Sequence, residues 1–286
     1  MAPNKRKKPV TTASSKHKPT VSADVTRKTI RRYHVLLKEK ARLLNAPSSS
    51  TSTRLDEIDK EMKLLGGLEA YQEMSVLGQS KERGGGSEKV LVEWLKELGY
   101  GKPPVGKGKE RGVINLLEVG ALRPDNYTQW SKWLHCVPID LHSRHPDIKE
   151  QDFLLLDRTE NEGRWDVISL SLVLNFASMP LDRGRMLALS HAFLRHDSPS
   201  YLYLVLPLPC VANSRFTTSD HLKSLMGAIG FELVKERWRP GGKVAYWLWK
   251  RKDHYDSRDG DGFKKKKVLR EGATRNNFAI LWDGVR

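Results

Sequence analysis

The tightest constraint on this chain is a pair of short apolar segments whose ends carry an acid and a glycine in register. Val113-Ile114-Asn115-Leu116-Leu117 has strand composition, and Glu118-Val119-Gly120 closes it. Cys136-Val137-Pro138-Ile139 is the next such segment, and Asp140 ends it twenty positions after Gly120. In an open α/β sheet, ligands sit outside the carboxyl ends of the strands, where the strand order switches. A glycine there lets backbone come close to a ligand, since it has no Cβ. A carboxylate about twenty residues on accepts hydrogen bonds from ribose hydroxyls. The two segments therefore predict a site for a nucleoside-containing cofactor at Gly120 and Asp140.

A dinucleotide site needs a run of glycines that turns helix amides toward a pyrophosphate. Here the run is Glu118-Val119-Gly120-Ala121-Leu122-Arg123-Pro124, with one glycine and a proline. A cofactor with a ribose but no phosphate fits better, and S-adenosylmethionine is the common one. Glu118 then falls near its cationic amino acid end. The plain alternative is an ordinary sheet in which Gly120 only turns the chain.

Further apolar runs recur after Gly120. Asp152-Phe153-Leu154-Leu155-Leu156, Trp165 to Leu172, Tyr201 to Leu206, Phe231 to Glu236 and Lys243 to Trp249 are strand candidates. Pro240-Gly241-Gly242 makes the last two a hairpin. Helical patterns over Leu181–Leu194 and Thr217–Ile229 separate earlier strands. Ser219 or Asp220 is placed to cap the second helix, and Gly230 to stop it. Strands alternating with helices imply a mostly parallel sheet covered on both faces. Seven strands ending in a hairpin resemble the Rossmann-like, S-adenosylmethionine-dependent methyltransferase fold, an α/β architecture. In that fold an acid at the third strand's edge accepts from the adenine amino group and an apolar neighbour packs on the ring. That implies cofactor contacts at Asp152 and Phe153; the alternative for Asp152 is a solvated turn acid.

Upstream lies a helical extension. Residues 1–26 are rich in Lys, Thr, Ser and Pro and are expected to be disordered. Helices are expected over Arg27–Leu44, over Arg54–Leu65 with a Ser52 or Thr53 cap, over Leu68–Leu77, and from a Ser87 cap through Leu98. The expected layout is a tail to 26, a helical region 27–110 forming a small bundle, a catalytic domain 111–250, and a basic tail 251–286. The bundle suits either a lid or a grip on RNA.

The net charge of +16 is carried by the ends. Residues 1–46 hold 13 Lys or Arg against 2 acids, and residues 251–286 hold 10 against 6, which leaves +1 for the middle. Asn4-Lys5-Arg6-Lys7-Lys8-Pro9 and Lys264 to Lys267 point to polyanionic partners or nuclear import. No apolar run approaches the 18 residues of a membrane span, no signal peptide opens the chain, and no metal-ligand spacing is present. Cys136 and Cys210 sit in apolar contexts that suit buried thiols.

Several segments together carry a family resemblance. They are Leu117 to Leu122, Val137 to Leu141, Glu150-Gln151-Asp152-Phe153, Ser171-Leu172-Val173-Leu174-Asn175-Phe176, Asp182 to Leu187, and Leu206-Pro207-Leu208-Pro209-Cys210-Val211-Ala212-Asn213-Ser214-Arg215. This set resembles the fungal 25S ribosomal RNA adenine-N1 methyltransferases over roughly residues 27 to 250. The resemblance implies a nucleolar enzyme that uses S-adenosylmethionine and acts on large-subunit rRNA or a pre-ribosomal particle. It places Gly120 and Asp140 on the family's cofactor contacts. A related animal branch senses S-adenosylmethionine, so a binding protein without RNA chemistry is the rival reading, and a protein methyltransferase a second.

Exocyclic-amine methyltransferases often carry an Asn-Pro-Pro-Tyr type motif after the fourth strand. Here the position reads Leu174-Asn175-Phe176-Ala177, without prolines. Asn175 becomes the candidate catalytic residue that bonds the base edge, and Phe176 the stacking ring. The alternative for both is strand packing and a helix cap. Arg215 is a candidate phosphate contact.

Overall fold

The computed structural model describes residues 23–45, 51–78, 86–101, 112–253 and 261–285. Its strands are β1 (Ile114–Val119), β2 (Leu134–Asp140), β3 (Lys149–Glu150), β4 (Val167–Ser171), β5 (Tyr201–Pro207), β6 (Phe231–Arg237) and β7 (Val244–Arg251). They form one sheet in the order β3-β2-β1-β4-β5-β7-β6. The first five in that row are parallel, and β7 runs antiparallel to both β5 and β6. The order turns back between β1 and β4, which is where such sheets hold ligands. The helices are α1 (Ala23–Asn45), α2 (Thr51–Leu64), α3 (Gly67–Gly78), α4 (Glu88–Glu97), α5 (Arg158–Asn161), α6 (Pro180–Phe193), α7 (Pro209–Ala212) and α8 (Ser219–Ile229). The seven-stranded α/β sheet is the one the sequence predicts.

The third strand is not where the apolar pattern puts it. Phe153–Leu155 is a 3-10 turn, and the strand is the two-residue Lys149–Glu150. The Asp152 carboxylate accepts the Leu154 amide at 2.8 Å, which offers the backbone a local turn in place of a ladder. Full helices join β4 to β5 and β5 to β6, but the passage from β1 to β2 holds only the 3-10 turn Thr128–Trp130. The sheet face left bare by that short passage is covered by α4. Its Leu91, Val92, Trp94 and Leu95 pack with Leu116, Leu134, Tyr203 and Val205. Glu93 pairs with Arg237 at 2.7 Å and Glu97 with Lys235 at 2.6 Å, tying α4 to β6. So α4 is part of the sheet domain, and only α1–α3 form the separate helical layer. Ser87 precedes α4 without capping it; its hydroxyl pairs with that of Ser171 at 2.5 Å.

The opposite face is covered by α6 and α8. Leu187, Phe193, Leu222, Met226 and Ile229 close over Leu170, Leu204 and Trp247. Thr218, not Ser219 or Asp220, caps α8 by accepting the His221 amide at 3.0 Å, and Gly230 ends it. Cys210 is buried and Cys136 partly so. Helix α1 begins at Ala23, four residues before its expected start and within the segment expected to be disordered. Asn4 to Pro9 and the Ala46 to Ser50 break lie outside the described residues. No helix of the described residues is long and apolar enough to cross a membrane.

The expected basic tail after residue 250 is a structural strap. Phe263, Phe278, Ala279, Ile280 and Trp282 are buried, most of them in the core under α6 and α8. The Arg270 guanidinium donates to the carbonyls of Val211, Ala212, Ser214 and Thr217. Arg215, expected at a phosphate, donates instead to Gly272 and Arg275 carbonyls at 2.9 Å and to Asn277 Oδ1 at 2.6 Å. A Cβ on Gly184 would stand 1.8 Å from the Leu281 carbonyl oxygen, so the strap crosses α6 only because that residue is glycine. Lys264 to Lys267 stay exposed on the strap's outer side.

Candidate functional site

Strands β2, β1 and β4 are neighbours, so their carboxyl ends bring Asp140, Gly120 and the segment after Ser171 to one edge. The amides of Gly120 and Ala121 both donate to the Ile139 carbonyl, at 2.8 and 3.0 Å. Gly120 has φ +74°, and a Cβ there would lie 2.5 Å from Val173 Cγ2. The glycine is thus required twice, by its backbone angle and by the segment that follows β4. The close approach expected at Gly120 is present, but the neighbour in place is a side chain of this chain.

Asp140 is half-buried at the tip of β2. Its Oδ1 accepts the His142 amide at 2.9 Å, and burial raises its pKa above the usual carboxylate value. The Gln151 amide donates to the Asp140 carbonyl at 2.8 Å, which brings the Asp152 turn alongside. Phe153 departs from expectation. It is buried with its ring edge-on to Phe193, at 5.9 Å between centroids, so it serves the core. The apolar side chains left at this edge are Leu141, 54% exposed, and Leu155, 75% exposed. A carboxylate that accepts from hydroxyls, flanked by exposed aliphatic side chains, fits a ribose and a purine face. Glu118 is turned inward at 8% exposure, accepting from Asn126 Nδ2 at 2.8 Å and facing Cys136 Sγ at 3.7 Å. Burial pushes its pKa up to about 7.

The segment after β4 is strained. Leu172 has φ +58°, a left-handed conformation that costs a side-chain-bearing residue roughly 1 kcal/mol or more. Its amide is held by the Val205 carbonyl at 3.0 Å. Asn175 follows, 5% exposed, and its Oδ1 has no hydrogen-bond partner among the described residues. A buried acceptor left unmade costs about 1–3 kcal/mol, so such an atom is suited to a ligand's donor.

Phe176 is covered by the helical layer. His34 of α1 stands edge-on to it at 3.8 Å between centroids, and Tyr71 of α3 at 5.6 Å. Tyr71 stacks on Tyr33 at 4.9 Å and its hydroxyl lies 3.1 Å from His34 Nε2. Burial, and then Lys38, lower the His34 pKa to about 3, so the ring is neutral. The layer also reaches the Asp140 side. Gln72 donates to the His142 carbonyl at 2.8 Å, and Arg144 to the Glu69 carbonyl at 3.2 Å. Helices α1 and α3 therefore touch both halves of the site. The sequence predicts a bundle before the sheet but singles out neither His34 nor Tyr71. Their only trace in sequence is one ring on each of two helices, α1 rich in basic residues and α3 without any.

The chain matches the model of the family described as 25S rRNA (adenine(2142)-N(1))-methyltransferase, Bmt2, over residues 56–280. It is 39% identical over 259 residues to a 25S rRNA adenine-N(1) methyltransferase of Schizosaccharomyces pombe, covering 88% of this chain and 90% of that one. It is 32% identical over 254 residues to a 25S rRNA (adenine(2142)-N(1))-methyltransferase of Saccharomyces cerevisiae, covering 87% of this chain and 70% of that one. Among solved structures, the SeMet-substituted CurJ carbon methyltransferase is similar with a TM-score of 0.47 and 14% identity, over 82% of this chain and 72% of that one.

Proposed function

The chain belongs to the 25S rRNA adenine-N(1) methyltransferase family, and from that membership we propose that it methylates N1 of an adenine in large-subunit rRNA with S-adenosylmethionine as donor. The observation that supports the site is that Asp140 and Gly120 stand at the carboxyl ends of two adjacent strands, with Val173 of the segment that carries the buried, unpartnered Asn175 Oδ1 against Gly120. When bound, the cofactor supplies an electrophilic methyl group on a sulfonium. Asp140 holds the ribose hydroxyls, with Asp152 beside it near the adenine end and Leu141 and Leu155 as the apolar flanks. Phe153 supports that turn from the core.

Adenine N1 carries an in-plane lone pair, so the chain need not remove a proton before attack. Its task is placement, and a well-oriented pair of reactants gains most of the rate. Asn175 Oδ1 accepts a hydrogen bond from the N6 amino group and so fixes the base edge. Phe176 gives the base a face to stack on once His34 has moved aside. Base pairing hides N1, so the target must be unpaired or extruded. The basic segment Asn4 to Pro9 suits nuclear import, in keeping with the nucleolar site of action that the family resemblance implies.

The test is to incubate the protein with labelled donor and unmodified large-subunit rRNA and map the label. Label at one adenine N1, and loss of donor uptake by calorimetry in Asp140→Ala, are the expected results. Donor uptake without any label on RNA would favour a donor-binding sensor. That reading draws on one observation, the coverage of Phe176 by His34.

A further inference from the structure

We infer that Arg183 is a positioning residue for methyl transfer, the clamp that joins the C-terminal strap to the segment carrying Asn175 and Phe176. The inference rests on the reading of that segment as the base-binding element. Arg183 lies in the first turn of α6 and is 3% exposed. Its Nε donates to the Ala177 carbonyl at 2.9 Å, its Nη2 to the Ser178 carbonyl at 3.2 Å, and its Nη1 to the Ala279 carbonyl at 2.6 Å. The guanidinium carbon stands 4.7 Å from the centre of the Phe278 ring.

This is a costly way to pin a loop. A buried cation needs compensation, and no ion pair to a carboxylate accompanies Arg183 among the described residues; the neighbouring Asp182 pairs with Arg185 at 3.5 Å. Burial accordingly lowers its pKa to about 10. What the cation gains is reach and direction. A planar fork with five donors fixes two successive carbonyls on one side and the strap on the other, which a point charge cannot copy. The two carbonyls belong to the residues directly after Asn175-Phe176. The other end of the same segment is the strained Leu172, held by β5. Leu172 and Arg183 together set where Asn175 Oδ1 points. The strap thus meets the segment through the Arg183 fork, next to the Leu281 amide that donates to the Pro180 carbonyl at 2.9 Å, and its burial is part of the site's construction.

The experiment compares Arg183→Lys and Arg183→Met with Asn175→Ala in the full chain, assayed well below each variant's Tm. The expected result for both Arg183 variants is donor Kd within about twofold of the parent and little change in KM for rRNA. Their kcat should fall about tenfold to a hundredfold, the scale of loss from a small misplacement of reacting groups. Arg183→Lys should not rescue, since it keeps charge and loses the fork. Donor affinity falling in step with kcat, retention of full kcat, or failure of both variants to fold would assign Arg183 to the core alone and overturn the inference. Full activity in Asn175→Ala would instead remove the base-binding reading itself, and is distinguishable because it leaves the Arg183 variants' own split between Kd and kcat to be read.

Discussion

Glu118 ends the strand that opens the site, yet it faces inward between Asn126 and Cys136. Burial raises its pKa from 4.5 to about 7, with the two donors pulling the other way. The folded state then holds a proton that the unfolded state releases near 4.5. The resulting stabilisation is fully present below that value and is lost as pH rises through about 7. Replacing the carboxyl with an amide removes the cost of a buried charge at high pH. Urea unfolding should therefore find Glu118→Gln level with the parent at pH 4.5 and more stable at pH 8, by at most about 3 kcal/mol. Parallel curves across that range would mean that Glu118 is not desolvated. The same residue illustrates a limit of reading side chains from motifs. Its position was legible because strand ends carry ligands; its direction follows from the pleat, which sends Leu117 and Val119 to one face and Glu118 to the other.

At the scale of elements, periodicity located strands and helices to within a few residues because one buried face imposes one repeat. It failed where local bonds beat the repeat. Asp152 capped its own turn, and Phe153 went to the core from a continuous apolar run that has the composition of a strand but the backbone of a 3-10 turn. It also failed where partners come from far along the chain. Nothing near Phe176 announces His34, which is 142 positions upstream. The Lys264 to Lys267 loop shows the opposite case, where charge alone is informative. It is exposed, anchored by buried Phe263 before it and by Arg270 after it, so its lysines are displayed at a fixed place. Lys264 pairs with Asp261 at 2.6 Å and the Lys266 ammonium stands 5.6 Å from the centre of the Phe216 ring, and the exposed row Lys265 to Lys267 faces outward where phosphates can reach it. Changing all three to Ala should leave Tm unchanged and weaken rRNA binding. The slope of log affinity against log salt should flatten by about 0.7 for each phosphate no longer neutralised. An unchanged slope would return the loop to solvent.

For the whole molecule, the decisive residues are those that the charge count hid. A segment with 10 basic residues against 6 acids reads as a tail, yet Phe278-Ala279-Ile280-Leu281-Trp282 within it is an apolar run with a place in the core. Composition averages over a segment, whereas burial is decided side chain by side chain. Trp282→Ala should lower the stability of the sheet domain by about 3–5 kcal/mol, measured by urea unfolding, because it empties a site packed on all sides. A truly solvated tail would give a change within about 0.5 kcal/mol.

The crossing of Leu281 over Gly184 also fixes an order of events during synthesis. The parallel strands and α6 leave the ribosome well before Phe278, Ile280 and Trp282, so the hydrophobic face they share stays open until translation has passed those codons. A nascent chain halted earlier would carry Arg183 and still lack the Ala279 carbonyl and the Phe278 ring against which it is held. The Arg183 fork is therefore completed only in the last stretch of synthesis, after every strand of the sheet has emerged.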